Sequence, residues 1–304
     1  MNIVFMGTPV FAAKSLQRLM DDGHNILAAF TQPDKPKNRG MKPEVSPVKK
    51  LAEANGIAVR QPITLKDADI TAELTKLAPE LIAVVAYGKL LPTAILQIPQ
   101  YGCVNIHASL LPKYRGAAPI QHAILNGERE TGVTAMYMAE ELDSGDIINV
   151  MSTTIRENET AGELFDRLGD MGAELLSKTV SVIAAGTAER KAQRSDDISF
   201  APPLSKEMSP IDWAANRDEI LCKIRALNPW PVATALIDGV CLKVFSAEPG
   251  VASTTHLPGA IVSADNRGIE VACGNGAVML TQIQAPGGKK MSAADYLRGH
   301  PICL

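Results

Sequence analysis

No two cysteines stand in C-x-x-C spacing. The five that occur, at 103, 222, 241, 273 and 303, are scattered and odd in number. That argues against a disulfide scaffold and a thiolate zinc site, and points to a reducing compartment. Long apolar runs are missing too. LIAVVAYG at 81–88 is far short of the roughly 20 residues that cross a bilayer. The opening MNIVFMGTP lacks the basic region and extended apolar stretch of a secretory signal, and the cysteine of the final PICL is misplaced for prenylation. A soluble, cytoplasmic protein without a membrane partner is expected. Basic excess is absent: 30 Lys and Arg face 33 Asp and Glu, for a net charge of -3, so any nucleic-acid contact must be local. The glycine fingerprint G-x-G-x-x-G does not follow the first apolar run, which argues against a nicotinamide cofactor. There is no G-x-S-x-G elbow, which argues against a serine nucleophile at Ser109. No repeat or low-complexity tract interrupts the 304 residues, enough for one large domain or two ordinary ones.

What is present alternates in period. NIVFMG (2–7), NILAAFTQ (25–32), ELIAVVAYG (80–88) and GCVNIH (102–107) are apolar runs of strand length, the pattern of strands buried on both faces. Between them 10–23, 46–56 and 67–79 show helical spacing, with Ser46 as a cap and Pro47 in the first turn. Strands alternating with helices predict an α/β, Rossmann-like parallel sheet. GTPVF (7–11) then reads as the first strand-to-helix turn. Strands near 132–138 and 146–155 and a long helix over 160–186 follow. At about 187 the composition turns polar and proline-marked, which reads as a linker. Beyond it one helix (216–228) precedes five short β-like runs with Gly and Asp turns, the pattern of a small, OB-like β-barrel. The expected division is a catalytic domain at 1–189, a linker at 190–206 and a barrel domain at 207–304.

Three places carry chemistry. Asn105 and His107 alternate at the end of a central strand, so they share a face at the carboxyl edge where open α/β sheets bind ligands. An amide and an imidazole there can donate to an oxygen that gains negative charge, although a lone histidine is more often structural. ELDSGDII (141–148) supplies Asp143, which can orient His107 or hold a proton-accepting water, or merely serve an Asx turn. DKPKNRGMKPEVSPVKK (34–50) sets six basic residues against two acidic ones, a local +4 that leaves -7 on the remainder. A long basic loop at such an edge suits a polyanion, or is simply solvated.

Together the stretches GTPVFA (7–12), TQPDKP (31–36), SPVK (46–49), VVAYG (84–88), NIHASLLPKYRGAAPIQ (105–121), LDSGD (142–146), NPWP (228–231) and GKKMSA (288–293) resemble the methionyl-tRNA formyltransferase family, within the folate-dependent formyltransferases. The likeness covers essentially the whole chain. It implies 10-formyltetrahydrofolate as donor and the amino group of initiator methionyl-tRNA as acceptor, with direct attack, no covalent intermediate and no metal. It implies catalytic roles for Asn105, His107 and Asp143. Ser109, Leu110, Leu111 and Pro112, with Val85, Tyr87, Gly88 and Leu90, become the folate pocket. Arg39, Lys42, Lys37 and Gly40 become tRNA contacts, and the protein is expected to act as a monomer. Formyl transfer to a small amine, such as glycinamide ribonucleotide or an amino sugar, shares the same catalytic pattern, but needs neither the barrel nor the basic loop. Formyl-folate hydrolysis and a catalytically silent tRNA-binding module are also compatible with these residues.

Overall fold

The computed structural model describes residues 1–37 and 42–302, with the side chains of 35–43 outside the description. The chain divides into two compact units: Met1–Pro119, Glu130–Thr153 and Phe165–Ala201 form the first, and Ile120–Arg129, Thr154–Leu164 and Pro202–Leu304 the second. Among the described residues no helix is long and apolar enough to cross a membrane.

The chain begins with β1 (Asn2–Gly7), α1 (Val10–Asp21), β2 (Asn25–Phe30), the hairpin strands β3 (Lys35–Lys37) and β4 (Lys42–Glu44), α2 (Pro47–Ala54) and β5 (Val59–Arg60). It continues with α3 (Ala68–Leu77), β6 (Leu81–Val85), α4 (Thr93–Leu96), β7 (Cys103–His107), β8 (Arg115–Gly116) and α5 (Pro119–Leu125). Then come β9 (Glu130–Tyr137), β10 (Ile147–Thr154), α6 (Ala161–Ala184) and β11 (Phe200–Ala201). Seven strands make one sheet in the order β10-β9-β7-β6-β1-β2-β5. The run from β5 to β7 is parallel, and β9 joins β7 antiparallel, a mixed sheet of a common kind. After β5 the chain returns to the other side of β1, so the topological switch point lies between β1 and β6. That is where such sheets open a crevice for ligands.

Continuous apolar strands form the centre because both faces are covered. Val4, Met6, Phe30, Ile82 and Val84 pack with Leu74 of α3 and Ile95 of α4. Helix α1 buries Phe11, Ala12, Leu16 and Leu19, and the Phe11 ring lies 5.4 Å from that of Phe165 on α6. Truncating the fully buried Leu16 to Ala would cost about 2–5 kcal/mol. Ser46 caps α2 as expected, accepting the Lys49 N–H at 3.1 Å with Pro47 behind it, a cap worth about 1 kcal/mol.

Two segments differ from their sequence-based description. The basic loop is a two-stranded hairpin, Lys37 facing Lys42 in register, and Lys49 is not one of its free charges. The Lys49 ammonium donates to Asp34 Oδ2 at 2.6 Å and Gln61 Oε1 at 2.8 Å, and Gln61 Nε2 donates to Asp34 Oδ1 at 2.7 Å. The hydrogen bonds received by Asp34, first that from Lys49 and then that from Gln61, hold its carboxyl below its ordinary pKa. Arg39 and Gly40 lie outside the described residues, and the Lys37 and Lys42 side chains lie outside the description. The expected linker at 190–206 also differs, since its first part belongs to the first unit. Arg190 stacks on the Tyr137 ring at 3.9 Å, Lys191 exchanges main-chain hydrogen bonds with Ile147, and β11 pairs with β8. Polar composition does not distinguish a solvated strand from one bound by main-chain hydrogen bonds.

In the second unit, α7 (Arg217–Ala226) leads into β12 (Ala233–Ile237), β13 (Val240–Pro249), β14 (Ile261–Asp265), β15 (Gly268–Cys273) and β16 (Gly276–Gln284), then β17 (Met291–Ser292) and α8 (Ala293–Gly299). The Asn216 and Glu219 capping box starts α7. The strands form an antiparallel sheet in the order β12-β13-β16-β15-β14, with β17 beside β16. Alternate residues such as Leu242, Val244, Ile269, Val271, Val278 and Leu280 fill one core with Ile220 and Ile224 of α7. Bulges bend β13 between Val244 and Ala247, which lets the sheet curl about that core. Helix α8 was not anticipated, although Ser292 accepting the Asp295 N–H at 3.0 Å is a cap legible in SAAD.

Candidate functional site

β7 lies between β6 and β9, with Asn105 opposite Val84 and Met136, and His107 opposite Thr134. Two residues apart on one strand, the Asn105 and His107 side chains share a face. His107 is 6% exposed. Its Nε2 lies 2.9 Å from the Tyr114 carbonyl oxygen. A carbonyl only accepts, so Nε2 carries a proton and Nδ1 is the edge with freedom to react. Nδ1 faces Asp143 Oδ2 at 3.6 Å, too far for a hydrogen bond. The same carboxylate oxygen accepts the Gly116 N–H at 2.9 Å. Asn105 is half-buried, and its side-chain amide makes no hydrogen bond among the described residues. The three expected catalytic residues therefore fall into one locality: His107 and Asp143 face each other directly, and Asn105 lies one strand repeat away.

The backbone that brings Asp143 there is constrained. Asp143 has φ 49°, the left-handed region that Asp tolerates better than most residues. A Cβ at Gly145 would stand 1.7 Å from the Tyr137 carbonyl oxygen, so only glycine lets the loop return to β9 so tightly. On the other side of His107, Tyr114 has φ 62° and Gly116 φ 128°, and a Cβ at Gly116 would meet the Ala201 oxygen at 2.5 Å.

Ser109 is locked rather than reactive. It is fully buried, and its hydroxyl donates to the Lys113 carbonyl at 2.6 Å. Thr134 Oγ1 donates to the Ser109 carbonyl at 2.6 Å and accepts the Leu111 N–H at 3.1 Å. The Leu110 carbonyl takes the Lys113 N–H at 3.1 Å, and that of Pro112 takes the Ser199 N–H at 3.4 Å.

The loop after β6 stands at the switch point. Val85 and Tyr87 turn into the core, whereas Ala86, Gly88 and Leu90 face solvent. The Tyr87 hydroxyl is buried without a hydrogen-bond partner among the described residues, and burial pushes its pKa up to about 12. Its carbonyl already accepts from Gln32 Nε2 at 3.0 Å and Thr8 Oγ1 at 3.4 Å. Of the four residues expected here, Gly88 and Leu90 are thus presented, while Val85 and Tyr87 act as core anchors. Ala86, at φ 45°, also faces outward. Leu90 is 66% and Leu142 50% exposed, apolar surface of the kind that a flat aromatic ligand covers, so the residues present fit a folate. Among the described residues no group of three or more His, Cys, Asp or Glu could hold a metal ion.

Sequence reasoning also passed over Arg115, Thr134 and Gln193. Arg115 is buried inside the SLLPKYRG stretch, where an arginine among apolar residues is the one available signal. Gln193 carried none.

The chain matches known proteins over its length. The profile described as formyl transferase covers residues 1–180, and that of the formyl transferase C-terminal domain covers 203–301. The methionyl-tRNA formyltransferase of Pelotomaculum thermopropionicum is 48% identical over 306 residues, covering 99% of this chain and 96% of the relative. That of Moorella thermoacetica is 47% identical over 302 residues, covering 99% and 97%. Among solved structures, an N-formyltransferase from Helicobacter canadensis, in complex with folinic acid and dTDP-3-aminofucose, superposes with a TM-score of 0.67 at 20% identity, covering 91% of this chain and 98% of that one. HypX from Aquifex aeolicus in complex with tetrahydrofolic acid gives 0.66 at 18% identity, and 97% of this chain spans 46% of that longer one. At these identities the structural likeness is one of fold.

Proposed function

The chain belongs to the methionyl-tRNA formyltransferase family, and from that premise we propose that it transfers a formyl group from 10-formyltetrahydrofolate to the α-amino group of methionine on initiator tRNA. Attack by the amine forms a carbon–nitrogen bond at the formyl carbon while the bond to the folate nitrogen breaks. The proton lost by the amine is balanced by one delivered to that leaving nitrogen. Folate supplies the activated formyl group and the leaving nitrogen. The protein supplies donors and a proton path. The Asn105 amide and the Nδ1 edge of His107 donate to the formyl oxygen as it gains charge. Asp143 keeps the ring oriented, and holds the water through which the proton passes. The observation that supports this is His107 Nε2 anchored 2.9 Å from the Tyr114 carbonyl, which turns Nδ1 toward Asp143 on the strand face that Asn105 shares.

The outward residues of 86–90 and the 109–112 turn border the folate. Arg39, with Gly40 next to it in sequence, clamps the acceptor end of the tRNA, a guanidinium being able to pair with phosphate or stack on a base. Lys37 and Lys42 attract it over longer range. Residues 207–304 hold the tRNA by its backbone and shape. The protein acts as a monomer in the cytoplasm, where charged tRNA is found.

The test uses purified protein, 10-formyltetrahydrofolate, and methionine-charged initiator or elongator tRNA. Formyl-methionine on the initiator tRNA alone, without formate release when the acceptor is omitted, is expected. Formate release without an acceptor, or no transfer to charged initiator tRNA, would overturn the proposal.

A further inference from the structure

Gln193 lies in the segment whose composition suggested a linker, and its amide joins two stretches of chain at the site. Its Nε2 donates to the main-chain carbonyls of Asp143 and Gly145 at 2.8 and 2.9 Å. Its Oε1 accepts from Arg115 Nε and Nη2 at 3.0 and 2.6 Å. Arg115 is itself buried. It stands between Tyr114, whose carbonyl takes His107 Nε2, and Gly116, whose N–H takes Asp143 Oδ2. One amide thus connects the stretch that orients the His107 ring with the turn that presents the Asp143 carboxylate. The two carbonyls it holds flank that turn, and Asp143 sits at φ 49°, a conformation that persists only where neighbours fix it.

We infer that Gln193 is a positioning residue for formyl transfer, acting through Asp143 without touching either substrate. This rests on the role given to Asp143 above. The site calls for an amide specifically. A carboxylate would keep the Arg115 pair but set negative charge against two carbonyl oxygens. A lysine could donate to the carbonyls but could not accept from Arg115. Asparagine is one methylene too short. Gln193→Glu and Gln193→Met therefore disconnect the turn in different ways at nearly constant volume: the first keeps the guanidinium partner, and the second removes every hydrogen bond.

The test measures kcat and both KM values for the two variants, with melting curves, in the native and the Asp143→Asn background. A displaced carboxylate is expected to lower kcat about 10- to 100-fold, with KM for folate and for tRNA changed less than about threefold, since uniform binding is untouched. In the Asp143→Asn background the same substitutions should add less than about threefold, because contributions through one residue are not additive. If one variant melts below the assay temperature, the other decides. A kcat within threefold of the native enzyme, or an equal loss in both backgrounds, would overturn the inference while leaving the Asp143 role standing. Native turnover by Asp143→Asn itself would remove that role, and the inference with it.

Discussion

Replacing Asp143 by Asn removes one charge and little else. The Asp143 Oδ2 oxygen lies 3.6 Å from His107 Nδ1, with side-chain exposures of 10% and 6%. At an effective dielectric constant near 20, two unit charges at that separation attract by about 4–5 kcal/mol. If the imidazolium is the species that meets the developing oxyanion, losing its counterion lowers turnover by about 10³-fold. The Asn side chain would still accept the Gly116 N–H through its oxygen, and it suits φ 49° nearly as well as Asp. That oxygen is also the one that faces Nδ1, so the amino group takes the place of Oδ1 and Nδ1 loses its counterion without gaining a partner. Folding should therefore survive, with a melting temperature near the native one. Asp143→Ala differs, since the Gly116 N–H loses its partner, at about 1–3 kcal/mol, and a left-handed alanine adds roughly 1 kcal/mol more. That variant should melt several degrees lower and turn over no faster than Asp143→Asn. Single-turnover formylation at saturating folate and charged initiator tRNA, beside melting curves, measures both. Asp143→Asn within tenfold of the native rate and Asp143→Ala far below it would refute the charge argument, because the residue would then act by holding Gly116.

Asn105→Ala and His107→Ala should each reduce kcat by about 10²–10³-fold, the range for removing one oxyanion donor, with melting curves confirming an intact fold; normal turnover in steady-state assays would remove either residue from the chemistry. Arg39→Ala should lower kcat/KM for charged tRNA more than about tenfold with folate binding unchanged, and Lys37→Ala with Lys42→Ala should flatten the salt dependence of tRNA binding. A filter-binding titration across salt concentrations, with a separate folate titration, checks both. Burial raises the Cys103 thiol pKa to about 12 and Cys241 is exposed, so in a Cys303→Ser background a thiol reagent at neutral pH should label Cys241 first and Cys103 only on unfolding. Peptide mapping of the labelled protein decides it.

The strand that carries the proposed site was legible because two independent patterns meet there. An apolar run marks β7 as central, and the alternation of Asn105 with His107 interrupts that run only near its carboxyl end. The approach of Asp143 was legible as chemistry but not as geometry. Its position depends on β9 lying antiparallel to β7 and on the tight return at Gly145, neither of which periodicity reports. The turn after β6 was not legible: Val85 and Tyr87 are buried while Ala86, Gly88 and Leu90 face out, about a left-handed Ala86 that no hydrophobic period reports. Gln193 was invisible because its partners are carbonyls and one guanidinium. A side chain that bonds to main chain imposes no hydrophobic period, so TAERKAQRSDD reads the same whether solvated or fastened.

Those main-chain bonds also bear on which groups remain for substrate. The loops around the site contain several strained or returning turns, at Ala86, Tyr114 and Asp143, and each exposes carbonyls that need donors. The protein provides them from within: Gln32 and Thr8 for Tyr87, His107 Nε2 for Tyr114, and Gln193 for Asp143 and Gly145. The His107 bond fixes the tautomer, because a proton held on Nε2 leaves Nδ1 to gain or yield the other. A donor that turns to a carbonyl cannot turn to a ligand. Among the described residues Nδ1 and the Asn105 amide donate to no carbonyl, and they stand on one face of one strand. Preorganisation of this kind favours charge that develops during reaction over charge already present, because the free donors are fixed before the substrate arrives and need no reorientation as the formyl oxygen becomes anionic.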